Sequence, residues 1–159
     1  FHMLGFIDRL DTRMYAAQAA GCSPIANAIK EETDIVKPVK PKTIAKSLAI
    51  GNPADGYYAV KTVRESAGWA EVASDEEIVE AIKLLAQTEG VFTEPAGGVT
   101  VAVAKKLIER GKITRDESLV ICITGNGLKT QEAVSSYLGK RIKIKPTLKS
   151  FEESLDRLI

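Results

Sequence analysis

The stretch SLVICITGNGLKT, residues 118–130, constrains the fold more than any other part of the chain. From Leu119 to Ile123 it is apolar without alternation, and it is bounded by a charged segment on one side and a glycine turn on the other. A short continuous apolar run of this kind reads as a strand covered on both faces, which is the condition of a strand in a parallel sheet between helical layers.

The segments before it supply the rest of such a sheet. RMYAAQAA at 13–20 reads as a buried strand closed by Gly21, and Ser23 followed by Pro24 opens a helix, because a hydroxyl cap and a proline both suit the free amides of a first turn. DIVKPVKPKT at 34–43, with its prolines and lysines, predicts an extended surface connection. Asn52 and Pro53 repeat the cap signal, and Val60, Val63 and Ala67 then mark one face of a helix that ends at glycine. WAEVAS is a short strand. SDEEIVEAIKLLAQTEG carries a capping box of Ser74 and Glu77, apolar residues Ile78, Ala81, Ile82 and Leu85 at helical spacing, and a terminating Gly90. VFTEPAGGVTVAVAKKLIERG divides into a two- or three-residue strand, a Glu-Pro-Ala-Gly-Gly turn and a helix from about Val99 to Arg110. The order strand, helix, strand, helix, strand predicts an α/β fold of three layers about a mostly parallel sheet. Residues 139–159 are set apart from residues 1–138 as a tail with a polar-edged strand and a final helix bearing Phe151, Leu155 and Leu158.

Charge and composition exclude several function classes. Lys plus Arg number 22 against 21 Asp plus Glu, which leaves no basic excess for a nucleic-acid groove or an anionic membrane surface. No apolar run approaches the roughly 20 residues that span a bilayer, and FHMLGFIDRL has neither the charged start nor the long apolar stretch of a signal peptide. With Cys22 and Cys122 far apart and Cys122 inside the apolar run, a reducing, cytoplasmic setting without a disulfide is expected. FHMLGFIDRL reads as the end of an amphipathic helix with Met3, Leu4 and Ile7 on one side, so a fragment is expected. His2 is the only histidine, which leaves a histidine triad or a histidine metal site without partners. The acidic run at 75–77 lies in the first turn of a helix, where negative charge suits the dipole, and no metal is needed to explain it. Cys22 has no base near it in sequence, and Trp69, Tyr57 and Tyr58 read as core or interface anchors.

In open parallel sheets ligands gather beyond the carboxyl ends of strands, so the turns after Ala20, Thr93 and Ile123 are the places to inspect. Two of them, EPAGG and TGNG, are rich in glycine. Spacing alone leaves each open between a tight structural turn and a loop that approaches a ligand.

Several words taken together narrow this. MLGFIDRL, AAQAAGCSPI, TIAKSLAIGNPADG, EPAGGVT and ITGNGLKT occur in order over residues 1–134, and in that combination the chain resembles the C-terminal part of the threonine synthase family. The resemblance implies the large domain of a fold-type II pyridoxal-phosphate enzyme, acting on O-phosphohomoserine and water to give threonine and phosphate, as a homodimer. It implies that Thr124 hydrogen-bonds the ring nitrogen of the cofactor, with Gly125, Asn126 and Glu94 around it. It further implies that Leu48, Ala49 and Asn52 shape the substrate side. Many members carry arginine where Ala49 stands. The family's covalent anchor, a lysine in a Ser-Phe-Lys-Asp-like word, and its Gly-Asn-Ala-Gly-Asn-like phosphate loop are not found in these residues, so no catalytic residue is assigned to this chain and the N-terminal part of the enzyme is expected as its partner. Lys61, Lys83 and Lys105 fall on amphipathic helices and Lys37, Lys40 and Lys42 in the proline-rich connection, without a motif for that anchor. Two other readings stay open: a threonine dehydratase or cysteine-synthase-like lyase of the same fold, and a binding domain without chemistry.

Overall fold

Alanine-rich strands bring helices close to a sheet, and the centre of the computed structural model, which describes residues 1–137 and 142–155, is built that way. β1 (Ala16–Ala19) pairs in parallel with β2 (Ala70–Ala73), Ala16 opposite Ala70 and Ala19 opposite Ala73. Between them run α1 (Pro24–Lys30) and α2 (Gly56–Glu65). After β2 come α3 (Asp75–Glu89), α4 (Pro95–Glu109) and two short helices, α5 (Glu132–Ser135) and α6 (Leu148–Leu155).

The period-two alternation of the strands divides the apolar residues into two cores, one on each side of the sheet. Ala70, with Ala16 and Val72, faces Ala26, Ala28 and Ile29 of α1 and Val60 and Val63 of α2. Ala19 and Ala73, with Ala17, face Ile78, Val79 and Ile82 of α3 and Val99, Val103 and Leu107 of α4. The expected three layers are therefore present, helices on both faces of a parallel sheet.

Glu71 is a buried carboxylate on β2, only 3% exposed, and its partners reach it from both helical layers. Lys30 of α1 donates to it at 2.9 Å, and the Arg110 guanidinium, just past α4, pairs with its other oxygen. Burial opposes its ionisation, but the hydrogen bonds from Lys30 and the Val72 amide and the charges of Lys30 and Arg110 outweigh it, so the carboxyl lies below its ordinary range. Glu77 shows the same balance: desolvation is overcome by Lys106 at 2.6 Å and by the Ser74 amide.

Several expected elements differ. The run after Ser118 forms no strand, and Val120 is 86% exposed. The sheet has two strands, and residues 118–123 make no backbone-to-backbone hydrogen bond among the described residues, so the run has the composition of a buried strand without a neighbour. Cys122 is accordingly exposed, whereas Cys22 is buried and its thiol pushed up by that burial. Residues 1–10 form turns rather than a helix, with Met3 and Leu4 exposed. Asp55, not Asn52, precedes α2, and Ala67 lies beyond its end with a positive φ of 54°. Tyr57 and Tyr58 are exposed and stack edge to face, while Trp69 packs against the core. The segment before Glu94 is no strand: only an isolated bridge joins Thr93 to Asn126. Residues 142–145 are not a strand, and Phe151 and Leu155 of α6 are partly exposed. Leu158 and the boundary at Gly139 lie outside the described residues.

Candidate functional site

The two glycine words, about thirty residues apart in sequence, meet in space. EPAGG is not a turn: Glu94 is the N-cap of α4, Pro95 opens the helix, and Gly97 and Gly98 are buried inside its first turns. TGNG runs past that N-terminus in the opposite direction. The Glu94 amide donates to the Gly125 carbonyl at 3.0 Å, the Gly127 amide donates to the Phe92 carbonyl at 3.0 Å, and the buried Thr93 hydroxyl donates to the Gly125 carbonyl at 3.0 Å. A three-residue antiparallel clasp thus fixes Gly125, Asn126 and Gly127 to the start of α4.

Side-chain packing explains the glycines. A Cβ on Gly125 would lie 1.9 Å from Glu94 Oε1, and a Cβ on Gly127 would lie 2.7 Å from the Phe92 ring. Both glycines therefore serve first the contact between the two words. Asn126 fixes the turn: its Oδ1 accepts from the Leu128 amide at 2.8 Å and caps the short 3-10 helix at 127–130. Lys129, on that helix, approaches the Glu94 carboxylate at 3.5 Å, while the Glu94 side chain is 10% exposed. Among the described residues nothing hydrogen-bonds the side chain of Thr124, which is exposed at the rim of the clasp. The site therefore offers an uncommitted hydroxyl on a fixed loop, next to a buried carboxylate with one cation beside it.

The second group, Leu48, Ala49 and Asn52, reaches the same end of the molecule by a different route. The 3-10 helix Lys46–Leu48 follows the proline-rich connection, Leu48 packs against the core that holds α4, and Lys46 approaches Glu132 of α5 at 3.8 Å. Leu48 and Ala49 are half-buried, and Asn52 is exposed. No described hydrogen bond joins Asn52 to Thr124 or Glu94. The sequence marks Thr93 only as a strand end and gives Lys129 only a turn-fixing role; their contacts with Gly125 and Glu94 join distant segments and leave little local signal. The one local hint was Gly97, four residues after Thr93, where a Cβ would meet the threonine hydroxyl at 2.0 Å.

Lys61, Lys83 and Lys105 are surface residues in helical ion pairs, with Glu65 at 3.8 Å, Glu80 at 2.9 Å and Glu109 at 3.7 Å. No helix among the described residues is long and apolar enough to cross a membrane.

The family model described as pyridoxal-phosphate dependent enzyme matches residues 3–125. A threonine synthase of Methanocaldococcus jannaschii is 42% identical over 159 residues, covering 99% of this chain and 39% of that protein. A threonine synthase of Methanosarcina acetivorans is 42% identical over 135 residues, covering 84% of this chain and 33% of that protein. The chain thus spans less than half the length of these curated relatives. Among solved structures, maize serine racemase superposes with a TM-score of 0.56 at 20% identity, over 92% of this chain and 40% of that one, a likeness of fold.

Proposed function

We propose, from the premise that the chain belongs to the pyridoxal-phosphate-dependent enzymes, that it is the C-terminal segment of a threonine synthase that converts O-phosphohomoserine and water to threonine and phosphate. The clasp between Phe92–Glu94 and Gly125–Gly127 supports this reading, because it holds that loop against the start of α4 and leaves the adjoining Thr124 hydroxyl exposed and without a partner among the described residues.

The residues present fit the cofactor. Thr124 would hold a hydrogen bond at the ring nitrogen, on a loop whose glycines are committed to packing and whose Asn126 is committed to the turn. When bound, the cofactor supplies an electron sink for carbanion chemistry at the substrate. A neutral hydroxyl at the ring nitrogen shares a proton there without holding a full positive charge. Glu94, gripped by Lys129 and pressed against Gly125, orients the loop. Leu48 and Ala49 form part of the substrate wall and Asn52 its outer edge, so the substrate phosphate finds no arginine at position 49. The covalent anchor and the phosphate loop belong to the N-terminal part of the enzyme, so residues 1–159 alone turn over no substrate. A homodimer and a cytoplasmic setting complete the proposal, the latter supported by two free cysteines.

Titration of the chain with pyridoxal phosphate, followed by absorbance, tests both statements. Wild type binds reversibly, and Thr124→Val weakens binding by about 1–3 kcal/mol, roughly 5- to 150-fold, because the ring acceptor loses its partner. Equal affinity in the variant removes Thr124 from the site. Cofactor that stays on the chain through desalting, together with threonine formation, overturns the assignment of the anchor to another segment.

A further inference from the structure

Residues 39–51, which carry the proposed substrate wall, form a loop closed on itself and tied down at three points. Its ends are joined by the Val39 amide, which donates to the Gly51 carbonyl at 2.9 Å, and a Cβ on Gly51 would lie 1.9 Å from the Val39 oxygen. Its middle is held by the Lys42 amide, which donates at 2.9 Å to the carbonyl of Gly21, immediately after β1. The third tie is a pair of hydrogen bonds to a carboxylate. Asp75 Oδ1 accepts from the Thr43 hydroxyl at 2.6 Å and from the Ile44 amide at 3.2 Å, and the Thr43 oxygen accepts in turn from the Ala45 amide at 3.1 Å.

These bonds bear on the wall directly. The hydrogen-bonded unit Thr43–Ala45 leads straight into the 3-10 helix Lys46–Leu48, and Ala45, fully buried, is its N-cap. The position of Leu48 and Ala49 is therefore set by where Thr43 and Ile44 are held. Asp75 lies in the first turn of α3, but the helix start is already completed by the Ser74–Glu77 capping box, and Glu76 and Glu77 already place negative charge there. The carboxylate of Asp75 is spent on the loop. Hydrogen bonds to an ionised acceptor are about twice as strong as those between neutral groups, so this tie is the strongest of the three for its number of contacts.

We propose that Asp75 is a positioning residue for substrate, holding Thr43 and Ile44 so that Leu48, packed against the core it shares with α4, and the adjoining Ala49 keep a fixed position; this rests on the assignment of Leu48 and Ala49 to the substrate wall. The 3-10 helix and α4 share a core, so a loop released at Asp75 moves the wall relative to Thr124 and Glu94 while leaving the clasp intact.

Amide hydrogen exchange of the chain, in wild type and in Asp75→Ala, Asp75→Asn and Thr43→Val, tests the tie. In Asp75→Ala the amides of Ile44 to Ala49 exchange faster by about tenfold to a hundredfold, as expected for the loss of bonds to a charged acceptor. Asp75→Asn keeps an oxygen acceptor and restores most of the protection, and Thr43→Val gives an intermediate rate. The amides of α3 beyond its first turn and of α4 hold their wild-type rates. Unchanged exchange at Ile44 to Ala49 in Asp75→Ala overturns the proposal, as does an equal increase through α3, which would assign Asp75 to the helix alone. If Asp75→Ala does not fold, Thr43→Val and Asp75→Asn decide by the same comparison. A second arm measures O-phosphohomoserine affinity in the cofactor-loaded intact enzyme, N-terminal part included: Asp75→Ala lowers it and Asp75→Asn recovers it, with cofactor affinity constant. Wild type that binds no O-phosphohomoserine refutes the substrate assignment instead, and the exchange data still decide whether Asp75 holds the loop.

Discussion

Gly125→Ala isolates the contact on which the clasp depends. The added methyl would sit 1.9 Å from Oε1, 2.2 Å from Cδ and 2.8 Å from Cγ of Glu94, so the whole end of that side chain is in the way. Gly125 is not among the glycines with positive φ, so alanine meets no backbone penalty and the effect is one of space alone. Overpacking of this kind costs about 1–3 kcal/mol. Replacing glycine by alanine also narrows the unfolded ensemble, which returns about 0.4–1 kcal/mol. Displacing Glu94 weakens its pair with Lys129, a contribution of about 1 kcal/mol at most, since the lysine is largely exposed. The net expectation is destabilisation by about 1–3 kcal/mol.

The sign reverses when the obstacle is removed. In a Glu94→Ala background Cγ and the carboxyl are gone, and Gly125→Ala becomes neutral or stabilising by up to about 1 kcal/mol. Urea unfolding of the four proteins, with the slope m compared across them, gives the coupling directly. A coupling of about 1–3 kcal/mol is expected. Additivity of the two substitutions within about 0.5 kcal/mol refutes the reasoning, because it means that the methyl does not meet the carboxylate.

The remaining predictions concern the core and the buried charges. Leu107→Ala, at a buried position of α4, lowers stability by about 2–5 kcal/mol, whereas Val120→Thr changes it by less than about 0.5 kcal/mol in urea unfolding because Val120 is mostly exposed. Glu71 and Glu77 are held below their ordinary value of 4.5 by Lys30, Arg110 and Lys106, so in acid the unfolded chain binds more protons than the folded one. Their stabilisation is complete above that value and is lost as pH falls through the depressed folded values; Glu71→Gln lowers stability at neutral pH and flattens the acid limb of an unfolding titration followed by circular dichroism.

What the sequence disclosed and what it concealed separate by the range of the interactions involved. The capping box of Ser74 and Glu77, the left-handed Gly90 at 68° and the apolar face of α3 are written within one helix, and all stand as expected. The parallel pairing of β1 with β2 followed from the alternation of short apolar runs with helices. The start of α4 was misplaced because glycine is a poor helix former, so PAGG reads as a turn. The structure supplies the missing reason. A Cβ on Gly98 would lie 2.8 Å from the Ile78 carbonyl, so the glycine lets α4 approach α3, and the packing outweighs the propensity. Thr124, Gly125 and Glu94 were each named from the chain, but their meeting at the clasp is a contact across about thirty residues that no local signal carries.

The exposed apolar run and the well-held loop after it follow from one physical distinction. The run starts beside β1, where Glu117 pairs with Arg13, and ends at the N-terminus of α4, where Gly125 accepts from Glu94. Both the run and β1 lie against α4: the Thr100 hydroxyl donates to the Cys122 carbonyl at 3.4 Å, and the Tyr15 hydroxyl, just before β1, donates to the Lys112 carbonyl just past the helix at 3.3 Å. A groove of about 760 Å³ separates the two, lined by Met14, Tyr15 and Ala17 on one side and Leu119, Val120 and Ile121 on the other. Among the described residues no backbone hydrogen bond joins the run to β1, so composition alone gives the run no place in the sheet; a strand is made by its neighbours. Its carboxyl end needs no neighbour of that kind. Three hydrogen bonds to Phe92, Thr93 and Glu94 fix residues 125–127, so Thr124 is positioned by α4 and not by the sheet. That is why the candidate site is held in place at the end of an apolar run that forms no strand.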